Sequence, residues 1–106
     1  MARVGRYVKM AAQSGQGEAL ARLMLEVAGS LSKTPGCELY AINRATDGPD
    51  VVWVTEVWTS QQAIDDSLAV LRTEEGRARL GEVQALLAGP PERIDLEPLG
   101  GVGLLG

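Results

Sequence analysis

At 106 residues, 45% apolar and 23% charged, the chain is long enough for one domain with a genuine core and too short for two. A formal charge of −4 with ten scattered Lys and Arg excludes a general nucleic-acid surface, which needs a concentrated basic face. No apolar run approaches the ~20 residues of a membrane span, and Met1-Ala2-Arg3-Val4-Gly5-Arg6 lacks the apolar centre of a secretion signal, so the chain reads as cytoplasmic.

Arg3 to Ala12 carries Val4, Tyr7, Val8 and Met10 without helical periodicity and reads as a first strand, ended by the turn Gln13 to Gly17. Ala19, Leu20, Leu23, Met24, Val27, Ala28 and Leu31 then recur at three- and four-residue steps, one apolar helical stripe with Glu18, Arg22 and Glu26 on the other side. Thr34-Pro35-Gly36 stops that helix. Cys37 to Arg44 and Val51 to Trp58 read as a hairpin joined by the polar loop Ala45 to Asp50. Its second strand is apolar on both faces, with Val52 and Val54 on one and Val51 and Val57 on the other. Thr59 as N-cap, with Gln62 three residues on, predicts a short helix through Ala63, Ile64 and Leu68. A further helix spans roughly Thr73 to Leu87, with Leu80, Val83, Leu86 and Leu87 as its apolar face and Glu75 with Arg79 as an exposed i,i+4 pair. Ala88-Gly89-Pro90-Pro91 ends it. Glu92 to Leu99 is a last strand, placed at an edge by its polar side Arg93, Asp95 and Glu97.

The order strand, helix, strand, strand, helix, strand predicts a ferredoxin-like α+β fold: a four-stranded antiparallel sheet with helices on one face. One domain covers residues 1–99, and Gly100 to Gly106 reads as a flexible glycine-rich tail. The bare sheet face of so small a domain predicts a twofold homodimer packed sheet on sheet.

The chain has no histidine, so a structural zinc site or a Ser-His-Asp or Cys-His nucleophile is excluded in its usual form. The single Cys37 excludes an internal disulfide, suits a reducing compartment and reads as a small buried hydrophobe.

Pro35-Gly36-Cys37 with Leu39-Tyr40, followed by Thr55-Glu56-Val57-Trp58-Thr59-Ser60-Gln61-Gln62-Ala63, resembles the antibiotic biosynthesis monooxygenase family over nearly the whole chain, from Tyr7 to about Leu99. The resemblance implies a dimeric α+β barrel with a pocket in each subunit. It also implies several activities: oxygenation of polycyclic phenols and anthrones without flavin or metal, haem degradation, and non-oxidative isomerisation. Two departures stand out. The histidine that many members carry after Glu-x-Trp falls at Ser67, and the axial histidine of the haem-degrading branch falls at Arg77. The asparagine that oxygenase branches use on the first strand falls in Tyr7-Val8.

Oxygenation without a cofactor needs an aromatic that itself reduces molecular oxygen once deprotonated, held dry with its anion stabilised. The resemblance and the residues together offer Glu56 as base, Tyr7 and Asn43 as hydrogen-bond donors, Trp58 as apolar wall, Trp53 and Ser67 as further substrate contacts, and Arg72 as an anion partner. Each has a structural alternative. Trp58 can fill the core, Trp53 can face the dimer layer, and Glu56 can pair with Arg44. A non-catalytic dimeric binding protein and a cyclase or isomerase are the rival functions.

Overall fold

The protein is described by a computed structural model over residues 2–103. Its elements are β1 (Val4–Ala11), α1 (Gly17–Ser30), β2 (Cys37–Ala45), β3 (Gly48–Trp58), α2 (Gln61–Ser67), a 3-10 segment (Leu68–Arg72), α3 (Glu74–Leu86) and β4 (Glu92–Leu96). The strands form one antiparallel sheet in the order β2-β3-β1-β4, which is the ferredoxin-like arrangement with β4 at an edge.

Strand alternation sorts the sheet into two faces. Met10 and Ala12 of the first strand and its end, with Val52 and Val54 of β3, are buried against Leu20, Leu23 and Met24 of α1 and Val83 of α3. Burial of a side chain of this size is worth roughly 1.5–3 kcal/mol, so the α1 stripe holds the helix layer on the sheet. On its exposed side Glu18 accepts from Arg22 at 3.0 Å, the expected i,i+4 pair. The opposite face carries Tyr7, Leu39, Ile94 and Leu96, each more than 40% exposed.

Helix α1 has no side-chain cap at Gln16. Its first turn is instead held from across the fold by Asp50, whose carboxylate accepts the N–H groups of Gly15 at 3.0 Å and Gly17 at 2.8 Å. These two bonds lower the Asp50 pKa from its ordinary 3.8. A side chain at Gly17 would overlap the Pro49 carbonyl, so close approach requires glycine there. Gly36 is fixed for two reasons: its φ of +86° and the Ala63 side chain against it.

The structure departs from the sequence reading in several places. The hairpin strands extend to Ala45 and from Gly48, leaving Thr46-Asp47 as the turn instead of a six-residue loop. Ser60, not Thr59, caps α2, its Oγ accepting the Ala63 N–H at 3.1 Å. Strand β4 ends at Leu96, because Pro98 turns back over Gly5. Cys37 is half-buried, its Sγ 3.9 Å from the Leu39 carbonyl, and burial raises the thiol pKa, followed by the charge of Glu56. Of the expected tail, Leu104 to Gly106 lies outside the described residues.

Candidate functional site

Where α1 and α3 diverge over the covered face they leave a cavity of about 470 Å³, within the usual range for small-molecule sites. Met10 and Tyr40 form its floor, Met24, Val27 and Leu31 of α1 and its end form one wall, and Leu80 and Val83 of α3 form the other. Val70 and Leu71 of the 3-10 segment close one end. Gly76 lets α3 press against this segment, since a side chain there would overlap the Val70 carbonyl. Thr73 fixes the turn of chain between them: its Oγ1 donates to the Val70 carbonyl at 2.7 Å and accepts the Gly76 N–H at 3.0 Å.

The lining is apolar apart from Ser30, Tyr40, Glu75 and Arg79. Ser30 is occupied, donating to the Val27 carbonyl at 2.7 Å. The Tyr40 hydroxyl and the Arg79 guanidinium have no hydrogen bond among the described residues. Burial raises the Tyr40 pKa well above its ordinary 10.0, with the charges of Glu56 and then Cys37 adding and Arg6 opposing. The phenol therefore stays protonated and is available as a donor. Glu75 and Arg79, expected as an exposed pair, form no ion pair; both border the cavity, Glu75 exposed and Arg79 half-buried.

The residues singled out in the sequence are dispersed. Tyr7, Asn43 and Trp53 lie on the open face, where Asn43 donates to the Trp53 carbonyl at 3.3 Å and to Thr55 Oγ1 at 3.4 Å, and Lys9 stands 5.9 Å over the Trp53 ring. Glu56 and Trp58 are on the covered face and are both buried, but neither borders the cavity. The Glu56 partner is not Arg44. It is the Trp58 indole, which donates to its carboxylate at 2.9 Å. In register, Tyr40, Glu56, Arg6 and Asp95 form one row across the sheet, so Glu56 sits directly beside the cavity's phenol. Ser67 borders a separate groove of about 330 Å³ with Ser60 and Asp66, and donates back to the Ile64 carbonyl at 2.6 Å. Arg72 is exposed at the end of the 3-10 segment and outside both. Among the described residues no group of His, Cys, Asp and Glu is placed to hold a metal ion, and no helix is long and apolar enough to cross a membrane.

The chain belongs to the antibiotic biosynthesis monooxygenase family, whose sequence profile matches residues 3–77. Among solved structures, a Chloroflexus aurantiacus protein that carries the family's name is 31% identical, with a TM-score of 0.81 over 96% of this chain and 98% of its own. A Caulobacter crescentus protein bearing the same name is 20% identical, with a TM-score of 0.81 over 93% of this chain and 92% of its own. The Mycobacterium tuberculosis protein Rv0793 is also 20% identical, with a TM-score of 0.78 over 94% and 98%; these last two likenesses speak to the fold alone. No curated protein matches the chain significantly. Family membership supports a monooxygenase-like role.

Proposed function

We propose that this is a cytoplasmic homodimeric monooxygenase that oxidises an electron-rich aromatic, a quinol, phenol or anthrone, without a bound cofactor. The observation that carries the reading is the apolar cavity under the helices with an unpaired phenol, Tyr40, on its floor. An apolar chamber of this size accepts an aromatic ring system and keeps it from water, and a protonated donor stabilises the oxyanion that deprotonation creates.

For an anthrone the reaction balances without an outside reductant. The methylene becomes a carbonyl, one oxygen atom of O2 stays on carbon, the other leaves as water, and the substrate supplies all four electrons. Glu75 is the carboxylate that reaches the cavity and is assigned the proton. Glu56, the base expected from sequence, acts in this reading on Tyr40 through its charge and holds no substrate. Tyr7, Asn43 and Trp53 are assigned to the contact between subunits. Tyr7 and the three exposed apolar side chains around these residues, Leu39, Ile94 and Leu96, support a sheet-on-sheet contact of about 1,600 Å² in total.

The test is oxygen uptake with a panel of quinols and anthrones, in the native protein and in Tyr40→Phe and Glu75→Gln. Turnover that falls about 100-fold in Tyr40→Phe is expected, the cost of one oxyanion donor. Absence of oxygen uptake across the panel would remove the oxygenase. An aromatic retained unchanged in air would then mark a binding protein, and one altered without oxygen uptake an isomerase or cyclase.

A further inference from the structure

Arg79 is the only cation among the described cavity-lining residues, and it is half-buried there. It has no hydrogen bond or ion pair, a state it shares with Arg44, Arg72 and Arg77, but those three are exposed and lie outside the cavity. Its nitrogens still reach water, and an acceptor brought by a ligand would form a charge-assisted bond inside a largely apolar cavity. Glu75 is one turn away, at a spacing where such a pair is weak, and it does not supply one.

The guanidinium presents parallel N–H groups that match the two oxygens of a carboxylate. Tyr40, on the sheet strand β2, and Arg79, on the helix layer, are the cavity's two unpaired donors. A planar ligand with its reacting oxygen at one and an anionic group at the other satisfies both. We propose that the aromatic taken into this cavity carries a single carboxylate and that Arg79 binds it. The inference rests on reading the cavity as the substrate site. It deepens that reading by naming a class, aromatic monocarboxylates. Glu75 beside Arg79 sets the limit at one, because a second carboxylate on the ligand would meet a like charge. The chain as a whole carries −4, so the selectivity comes from contact, not long-range attraction.

Calorimetric titration of the native protein with anthraquinone-2-carboxylate and with anthraquinone-2-carboxamide tests this, the two probes sharing a ring system and differing in charge. The carboxylate is expected to bind at least about tenfold more tightly. In Arg79→Gln the two should bind within about twofold of each other, and Arg79→Lys, which keeps the charge but loses the fork, should restore part of the preference. Circular dichroism melting checks that each variant is folded. Equal binding of the two probes to the native protein, or a preference that survives in Arg79→Gln, overturns the proposal. Oxygen uptake with a neutral anthrone in that case leaves the oxygenase reading standing. If neither probe binds, this proposal falls, and oxygen uptake across the quinol and anthrone panel decides the oxygenase reading separately.

Discussion

Strand β3 shows two fates for one sequence. Toward the helices it presents Val52, Val54, Glu56 and Trp58, all buried; toward the other side it presents Val51, Trp53 and Thr55, all partly exposed, and only Val57 at its end is buried there. The same alternation also divides Tyr40 from Leu39 on β2 and Met10 from Tyr7 on β1. The covered face is closed by packing except where α1 and α3 part, and the opening left there has the dimensions and chemistry of a binding site. The open face carries the exposed apolar side chains Tyr7, Leu39, Ile94 and Leu96. In the proposed function, cavity and subunit contact therefore fall on opposite faces of the sheet.

The largest effect that separates the faces concerns the two tryptophans. Trp58, 2% exposed, should cost about 3–5 kcal/mol in urea unfolding when changed to Ala. Trp53→Ala should cost clearly less than Trp58→Ala when both are measured at concentrations low enough to leave the protein monomeric, since its partly exposed ring then keeps only the Lys9 contact and its strand neighbours. Equal losses would break the comparison. Next in size is Ile94→Lys, which sets a charge on the open face at a position that is 55% exposed. Sedimentation should show dimer association weakened by about 2 kcal/mol, a roughly thirtyfold larger dissociation constant, with ligand binding in the cavity retained. A protein that is already monomeric at micromolar concentration would remove the partner from the account.

The smallest effect is at acid pH. The Asp50 pKa is lowered in the folded state by the Gly15 and Gly17 N–H groups. Its contribution is therefore present above the unfolded value of 3.8 and is lost as pH falls through the folded one. Asp50→Asn should flatten the loss of stability below about pH 4, measured by urea midpoints across that range. An unchanged acid limb would show that the link from β3 to the start of α1 contributes nothing. At the other extreme, Tyr40 ionises in the unfolded chain near 10.0 and resists ionisation when folded. Stability therefore falls as pH rises past that value, and Tyr40→Phe should remove that part of the decline.

The element order and the two-faced character of β3 were legible because helical and strand periodicities differ so clearly in α1 and in the hairpin. Boundaries were less so. Thr59 and Ser60 both have capping side chains, and only the extended backbone at Ser60, with its hydroxyl on Ala63, decides between them. The site was mostly hidden. Glu75 and Arg79 have the spacing of a surface pair, and nothing local reveals that both border the gap beside α1. The gap shows in the structure of α3, where Leu80 stands on the apolar side yet stays 39% exposed. A helix whose apolar stripe is so incompletely filled marks an unfilled space. Tyr7, Asn43 and Trp53 were drawn into the candidate site by residue type, although their odd parity places them opposite Met10 and Tyr40 on the sheet.

The central claim, that ligand enters beneath the helices and not across the open sheet, is tested most directly by NMR of protein labelled at the methionine methyl and tryptophan indole groups. Met10 and Met24 line the cavity and Trp53 lies on the other face. On titration with anthraquinone-2-carboxylate, the Met10 and Met24 methyl resonances are expected to move under the ring current while the Trp53 indole signal stays in place. Movement of the Trp53 indole with both methyls unmoved would contradict the account.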